Sequence, residues 1–273
     1  MTLARRALLC AALLVTAAAQ AAMQQPGDDP QASPIWQKVR ASLFENRPVE
    51  AAPPGLLVLE APARAVDAAV VPVAIRTQPP AGRWVKRLVL VIDANPSPIS
   101  AIFQFTRASG RAEVETRVRV DDYSFVRAVA ELDDGRLYTV HRFVKASGGC
   151  SAPAGADAAA AMANLGRMSF RVDGDLKPGR PVQAQLAISH PNHSGLAMDQ
   201  ATRQFTPAHF VRKVDVSYGG QDVFSADVDF SIAENPNFRF WFVPAGVGEL
   251  HASVVDSQDR HFEATQPLRE PAP

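Results

Sequence analysis

The chain has 273 residues, of which 47% are hydrophobic, and its 28 basic side chains balance 28 acidic ones. Nucleic-acid-binding proteins usually carry a basic excess that neutralises phosphates, so the zero net charge argues against that class. The hydrophobic content is sufficient for a core. The many valines and the 22 prolines favour strands joined by turns over helices.

The N-terminus has the pattern of an export signal. Arg5 and Arg6 precede the apolar run 7–19, and an Ala-Gln-Ala cleavage motif ends at Ala21. We interpret residues 1–21 as a signal peptide cleaved near Ala21, which predicts an exported protein of the bacterial periplasm. The apolar run is too short to span a membrane. No later segment approaches the ~20 apolar residues that a span needs, so we predict no membrane partner.

A polar segment and a helix signal come next. Residues 22–33 have the composition of a disordered lead-in. Ser33 can cap a helix that begins at Pro34, and apolar residues recur at helical spacing as far as Phe44. The helix must end before Pro48, because the residue before a proline leaves the α region.

The chain between the helix and residue 145 shows strand signals separated by turns. Residues 113–120 alternate strictly, with charged side chains that include Arg117 and Arg119 on one face, which predicts a strand with one solvated face. About seven strands at regular spacing indicate an immunoglobulin-like sandwich, which we place at residues 34–146. The predicted strands cover residues 56–60, 69–76, 87–93, 100–106, 113–120, 124–132 and 137–145.

A second set of strand signals follows a connecting segment at residues 147–165, whose alanine-rich end is either a short helix or a linker. We place a second sandwich at residues 166–265 and a loose tail at 266–273. The predicted strands cover residues 168–172, 182–189, 209–218, 224–232, 238–242, 250–254 and 261–264. The predicted fold is therefore all-β, with two immunoglobulin-like β-sandwich domains, a cysteine-bearing arm between them and a short N-terminal helix.

The connecting segment contains Cys150. The other cysteine, Cys10, lies inside the predicted signal peptide, so Cys150 would be the sole thiol of the mature chain. Exported domains usually pair their cysteines, and an odd one indicates either intermolecular pairing or a working thiol. An inert buried cysteine that acts as a small hydrophobe is the alternative.

Small residues surround this cysteine. Ser147, Gly148, Gly149 and Ser151 predict a flexible arm on which the thiol is exposed. An exposed thiol without an activating neighbour is a poor catalyst. It is a suitable point for covalent attachment of a cargo, with a partner enzyme supplying the reactivity.

The sequence carries no catalytic signature, since it lacks the nucleophile elbow, the P-loop and the dinucleotide-binding glycine motif. A cysteine hydrolase would pair Cys150 with a histidine, but His141, the nearest one, lies in the middle of a predicted strand. His190 and His193 form the closest histidine pair, and no further metal ligands can be located, so we prefer a structural role in a loop. We predict no catalytic residue, no metal and no cofactor.

Two motifs resemble the SoxY–SoxZ family of sulfur carriers. Residues 144–150, Val-Lys-Ala-Ser-Gly-Gly-Cys, are similar to the end of SoxY, where a strand leads into a Gly-Gly-Cys arm that carries sulfur intermediates covalently. Residues 188–191, 194–195 and 207–210 are similar to the Ser-His-Pro…Gly…Pro-Ala-His-Phe pattern of SoxZ, and residues 233–240 continue it. The resemblance covers nearly all of the mature chain, in the order Y then Z.

The resemblance implies two immunoglobulin-like domains that pack on each other and a carrier, not an enzyme, with Cys150 as the attachment point. It implies periplasmic sulfur-oxidation enzymes as partners and a thiosulfate-derived or related cargo. The fused arrangement is also similar to SoxYZ-like carriers associated with quinoprotein alcohol dehydrogenases. The alternative is therefore a non-covalent accessory protein of such a PQQ dehydrogenase and its cytochrome.

One departure from the family pattern affects the arm. Ser151, Ala152 and Pro153 replace the glycines that usually follow the cysteine, and the chain continues into the second domain. An arm tethered at both ends and stiffened by a proline reaches less far. A covalent homodimer through Cys150 is a further possibility.

Overall fold

The computed structural model describes residues 24–45, 47–153, 158–199 and 202–268. The predicted signal peptide, residues 1–21, lies outside these ranges. Within them, no helix is both long enough and apolar enough to cross a membrane.

Strands dominate the described chain, which confirms the nearly all-β prediction. The two α-helices are Pro34–Phe44 (α1), which confirms the N-terminal helix, and Ala158–Ala163 (α2), which lies in the connecting segment. The strands of the first half are Val49–Ala51 (β1), Leu57–Glu60 (β2), Val71–Thr77 (β3), Val85–Ile92 (β4), Ile99–Phe105 (β5), Val114–Val118 (β6), Ser124–Leu132 (β7) and Leu137–Val144 (β8). Those of the second half are Met168–Asp173 (β9), Val182–Ile188 (β10), Val211–Tyr218 (β11), Gln221–Val228 (β12), Asn237–Phe242 (β13), Gly248–Asp256 (β14) and His261–Leu268 (β15).

Each predicted strand has a counterpart in the structure, and the differences lie at the edges. The short strand β1, which the sequence did not indicate, pairs in parallel with β8. A strand of three residues is too short to show an alternating pattern. At the other end, β15 continues to Leu268, beyond the predicted domain boundary at residue 265, and pairs there with Gly248 of β14.

The strands form two sheets that run through both halves. The nine-stranded sheet has the order β1-β8-β7-β4-β5-β12-β11-β14-β15, and the six-stranded sheet has the order β2-β3-β6-β13-β10-β9. Each half therefore forms a sandwich, and the two sandwiches meet edge to edge. β5 pairs with β12 over five residue pairs, from Phe105–Phe224 to Ala101–Val228. β6 pairs with β13 at Glu115 and Arg239.

Alternate side chains of the strands fill the space between the sheets, as the pleat of a strand requires. Rings from the two halves meet there, and the Phe103 and Phe238 ring centroids are 6.2 Å apart in an edge-to-face contact. Buried apolar residues of both halves belong to one continuous cluster.

Helix α1 covers the outer face of the nine-stranded sheet. Ser33 caps it, since its Oγ accepts a hydrogen bond from the Trp36 N–H at 3.3 Å. Trp36 and Phe44 are buried and pack in a second apolar cluster with residues that include Val129 of β7. All nine residues of β7 are consequently buried, because one face lies in the sandwich and the other lies under α1.

Residues 24–33 differ from the disordered lead-in that their composition indicates. Arg127 of β7 is fully buried and donates to both carboxylate oxygens of Asp93, at 2.7 and 2.6 Å. The same guanidinium donates to the Pro30 carbonyl at 2.7 Å, and the Gln24 amide donates to Asp93 at 3.1 Å. The segment is ordered because its polar groups complete the hydrogen bonding of a buried ion pair.

Candidate functional site

Cys150 lies in a short loop after β8, residues 147–151, which we name the cysteine loop. The base of this loop is fixed beyond the end of β8. The Lys145 N–H donates to the Ala63 carbonyl at 3.0 Å, and the Lys145 carbonyl accepts from the Ala65 N–H at 3.0 Å. The loop therefore starts from a paired segment.

Three consecutive backbone N–H groups hold the cysteine loop against the segment that follows β6. The N–H of Gly148 donates to the Asp121 carbonyl at 2.7 Å, and that of Gly149 donates to the Val120 carbonyl at 3.1 Å. The N–H of Cys150 donates to the Asp121 carboxylate at 3.2 Å. Asp121 thus fixes the loop with both its main chain and its side chain.

The two glycines allow this packing in different ways. Gly148 has a φ of 78°, which side chains disfavour. At Gly149, a Cβ atom would lie 2.1 Å from the Ala68 carbonyl oxygen, so only glycine fits. The sequence favours a flexible arm, but in the structure Gly149 is buried and packed, while Ser147 and Ser151 are exposed.

Cys150 is a free cysteine whose side chain is fully buried, at 0% exposure, so the expectation of an exposed thiol is not met in this arrangement. Burial raises the pKa of the thiol to about 12; the Asp121 and Asp229 carboxylates add to the rise, and the Arg119 guanidinium opposes it. At neutral pH the buried sulfur is therefore a protonated thiol and lacks the reactivity of a thiolate.

Arg119 is buried at 5% exposure, which corrects its predicted place on a solvated strand face. The prediction of a solvent-exposed side chain is confirmed for Arg117, but the second half of the chain covers Arg119. Its N–H donates to the Ser231 carbonyl at 2.7 Å. Its guanidinium donates to the Gly149 carbonyl at 3.4 Å and to the Asn192 carbonyl at 3.3 Å. Desolvation lowers the pKa of this guanidinium from its usual value.

The second half contributes residues 190–195, which we name the histidine loop. The hydroxyl of Ser194 donates to the Cys150 carbonyl. Asn192 holds the loop in place, because its side chain donates to the Ile232 carbonyl at 2.9 Å and accepts from the Val211 N–H at 2.9 Å. The cysteine loop is thus enclosed by residues of both halves.

A buried cluster of His190, His209 and Asp256 supports the histidine loop from behind. His209 Nε2 lies 2.7 Å from Asp256 Oδ2, His190 Nε2 lies 3.6 Å from the same oxygen, and the two rings are 4.6 Å apart. The other Asp256 oxygen accepts from the backbone N–H groups of Gln258 and Arg260, at 2.8 and 2.9 Å. The cluster therefore ties the histidine loop to the β14–β15 turn.

The three side chains could in principle hold a metal ion, since their ligand atoms lie within 4.8 Å of one another. The backbone N–H of Asn192, however, donates to His190 Nδ1 at 3.1 Å. This bond places the proton of the neutral ring on Nε2, which then lacks the lone pair that a metal requires. At 3.6 Å from Asp256 this N–H is too far away for a hydrogen bond, and it has no other partner among the described residues. Burial, followed by the neighbouring His209, lowers the pKa of His190 to about 4, so the ring is neutral at pH 7.

The remaining histidines of the sequence analysis have other positions. The main chain of His193 pairs with that of His209, at 2.7 and 3.0 Å, and its side chain is not part of the buried cluster. His141 lies in β8, where its ring makes an edge-to-face contact with Phe125 at 5.6 Å. The sequence analysis gave His190 a structural role in a loop and included His209 only as part of the SoxZ-like motif at residues 207–210. It did not connect either with Asp256, because His209 and Asp256 are separated by 19 and 66 positions from His190.

Two family models match the chain. Residues 40–150 match "Sulfur oxidation protein SoxY", and residues 171–267 match "Sulphur oxidation protein SoxZ". We found no curated protein with a significant match to the sequence.

Two solved structures are similar to parts of the chain. The sulfur carrier protein SoxY from Chlorobium limicola f thiosulfatophilum is 27% identical, over 41% of this chain and 94% of that one, with a TM-score of 0.35. A β-glycosidase from Bacteroides vulgatus is 8% identical, over 78% of this chain and 24% of that one, with a TM-score of 0.24.

The match to the SoxY model ends at Cys150, and the match to the SoxZ model covers the histidine loop and all of the buried histidine cluster. Both matched families consist of carrier or accessory proteins, not of enzymes. The chain therefore joins a SoxY domain and a SoxZ domain in one polypeptide, and it is a carrier protein of sulfur oxidation.

Proposed function

We propose that this chain carries a sulfur-containing intermediate as a covalent adduct of Cys150 and presents it to partner enzymes in the periplasm. The observation that carries the proposal is the position of Cys150. It is the free cysteine at the end of the SoxY match, and residues of the SoxZ domain hold its backbone. Residues of both domains can therefore control the exposure of this thiol.

The chemistry of loading defines the class of partner. Joining thiosulfate to the thiol forms one S–S bond, breaks the S–H bond, and releases one proton and two electrons. The partner that loads the carrier is therefore an oxidoreductase that accepts both electrons. Release of the cargo by hydrolysis or further oxidation would likewise take place on partner enzymes.

We further propose that the two domains act as one unit. The strand pairing of β5 with β12 and the shared apolar cluster support this view. Each partner enzyme would then meet both domains together during loading and unloading. Fusion in one chain keeps each domain at a high effective concentration relative to the other.

Export to the periplasm is supported by the Arg5-Arg6 pair, the apolar run and the Ala-Gln-Ala motif. N-terminal sequencing of the protein from its native host should find a mature chain that begins at Ala22. A mature chain that retains residues 1–21 would contradict this part of the proposal.

The decisive experiment is the intact mass of the mature protein from cells that are oxidising a reduced sulfur compound, measured with and without reductant. We expect an excess mass that reductant removes and that maps to the peptide containing Cys150, and its size identifies the cargo. The Cys150→Ser variant should fold normally and show no excess mass. An unmodified wild-type chain under these conditions would contradict the proposal.

A second candidate is a non-covalent accessory role beside a periplasmic quinoprotein alcohol dehydrogenase and its cytochrome. The buried, protonated state of Cys150 and the tether on both sides of it favour this role. Purification of the tagged protein from its native host separates the candidates. The second one requires the dehydrogenase to co-purify equally well with wild type and Cys150→Ser.

A further inference from the structure

We propose that the cysteine loop is a load-sensitive latch, closed while Cys150 is a free thiol and opened when its sulfur carries an adduct. The inference rests on the proposed function, because it concerns the same sulfur atom. It assigns to Ser194 and Arg119 the task of holding the closed state.

The closing contacts connect the loop to both domains. Ser194 of the SoxZ domain donates to the Cys150 carbonyl. Arg119 of the SoxY domain donates to the Gly149 carbonyl with one branch and to the Asn192 carbonyl of the histidine loop with the other. None of these contacts belongs to a sheet, so the loop can leave its seat while both sandwiches keep their strand pairing.

A free thiol fits the buried site that Cys150 occupies in the closed loop, which we call the closed seat. The Cys150 side chain is small, uncharged and fully buried, and a protonated cysteine behaves as a small hydrophobe. The seat also stabilises the protonated form, because the Asp121 carboxylate binds the Cys150 N–H and disfavours negative charge on the nearby sulfur. Closure thereby protects the unloaded thiol from reagents in the oxidising periplasm.

A loaded sulfur does not fit the same seat. At 0% exposure, no space of the size of a water molecule adjoins Cys150. An adduct adds several heavy atoms, and protein interiors are too closely packed to accept them without displacement. The loop cannot shift inward, since even a Cβ at Gly149 would overlap the Ala68 carbonyl. Moving outward is the remaining way to accommodate the cargo.

Electrostatic repulsion also favours the open loop when the cargo is an anion. The charged groups that act on the sulfur are the Asp121 and Asp229 carboxylates and the Arg119 guanidinium, so negative groups outnumber the positive one. Burying an anion there also removes it from water. Arg119 forms no ion pair with the described residues, and its Nε has no hydrogen-bond partner there. This one guanidinium, which the Glu234 and Asp67 carboxylates also attract, therefore does not outweigh the two carboxylates near the sulfur.

The test uses chemically loaded recombinant protein. 2-Sulfonatoethyl methanethiosulfonate transfers its sulfonatoethylthio group to Cys150. The thiolate forms a disulfide bond to the sulfenyl sulfur, methanesulfinate leaves with the electron pair of the broken S–S bond, and the thiol proton passes to solvent. Hydrogen exchange of the peptide that spans residues 147–151 is then compared between free and loaded protein, with the reagent-treated Cys150→Ser variant as control.

We expect the amide hydrogens of Gly148, Gly149 and Cys150 to exchange about tenfold faster or more in the loaded protein, because each loses a hydrogen bond. Peptides of β5 and β12 should be unchanged. Equal protection in the free and loaded proteins would overturn the latch. Because the adduct is introduced chemically, this result is independent of whether native protein carries a cargo.

A pair of serine variants tests the closing contact itself. Ser194→Ala removes the hydrogen bond to Cys150 across the domain junction, and the reaction of the thiol with the reagent should become about five- to tenfold faster. Ser151→Ala is the matched control, because the Ser151 hydroxyl bonds only within the loop, to the Gly148 carbonyl at 3.3 Å. A Ser194→Ala rate equal to that of wild type would overturn the role of Ser194.

Discussion

The hydroxyl of Ser194, in the SoxZ domain, donates a hydrogen bond to the carbonyl oxygen of Cys150, the last residue of the SoxY match. The two domains therefore meet at the residue proposed to carry the cargo as well as along their sheets. This relationship explains why a carrier would benefit from joining both domains in one chain, since the partner of the thiol-bearing loop is always present.

The first prediction concerns Gly149. In Gly149→Ala the new Cβ would lie 2.1 Å from the Ala68 carbonyl oxygen and 2.6 Å from the Val120 carbonyl oxygen, so the closed loop cannot form. We expect Cys150 to react with a thiol reagent about tenfold faster or more, with the fold retained by circular dichroism.

Gly148→Ala is the comparison for that variant. The Cβ at Gly148 meets no atom closer than 3.8 Å, and the cost is the strain of a φ of 78°, roughly 1 kcal/mol. Its effect on the labelling rate should be smaller than that of Gly149→Ala. The reverse order would show that close packing at Gly149 does not control the loop.

The second prediction follows from the raised pKa of Cys150. The folded chain holds the thiol proton to a pKa of about 12, whereas an unfolded cysteine loses it near pH 9. Above pH 9 the unfolded state therefore binds fewer protons than the folded state. The free energy of unfolding consequently decreases as the pH rises from 9 towards 12. At pH 10 the loss should be about 1.4 kcal/mol.

The measurement is urea unfolding between pH 8 and pH 10.5 for wild type and Cys150→Ser. The difference in free energy of unfolding between the two should decrease over this range, since lysines and tyrosines titrate alike in both. A constant difference would mean that the thiol is not buried in solution.

The third prediction concerns His190, whose pKa of about 4 lies below the value of 6.5 for an unperturbed ring. Below pH 6.5 His190 is protonated in the unfolded chain but stays neutral in the folded chain. The free energy of unfolding therefore decreases as the pH falls towards 4. Between pH 6.5 and pH 4.5 this group should account for about 2 kcal/mol of acid destabilisation.

His190→Asn provides the comparison, because an amide oxygen can replace Nδ1 as the acceptor for the Asn192 N–H. The variant should lose less stability than wild type over that pH interval, although it starts lower at pH 7. Identical pH profiles for the two proteins would rule out a buried neutral His190.

The fourth prediction concerns Arg119, which bonds two carbonyls with two branches of one guanidinium. A lysine keeps the charge but offers one ammonium group in place of the fork. In Arg119→Lys the labelling rate of Cys150 should rise about three- to tenfold. Arg117→Lys, on the exposed side of the same segment, should leave the rate unchanged, and an equal effect of both variants would contradict the role of the fork.

Much of the architecture follows from local patterns in the sequence. The strict alternation of residues 113–120 predicted β6, and the strand signals at residues 124–132 and 137–145 predicted β7 and β8. Ser33 and Pro34 marked the start of α1, which the structure places at Pro34. These signals depend on residues close in the sequence, so they can be read without knowledge of distant contacts.

The failures share one cause. Arg119 has the spacing of a solvated residue, and residues 24–33 have the composition of a loose segment, yet other parts of the chain cover or bind both. Alternation identifies which side chains share a face, but it does not show whether that face will be covered by a distant element. β1 was missed because three residues are too few to show alternation, and its contacts with β8 and with the cluster under α1 come from distant parts of the chain.

The sequence by itself determined the strands, the helix, the solitary thiol of the middle segment and the resemblance of each half to a sulfur carrier. The tertiary structure alone decided that Cys150 is buried, that Arg119 and Ser194 hold its loop, and that Asp256 and His209 support His190 from behind. The physical reason is that burial and pKa depend on atoms brought together across the junction of two domains. In this chain those atoms come from segments as far apart as residues 119 and 256.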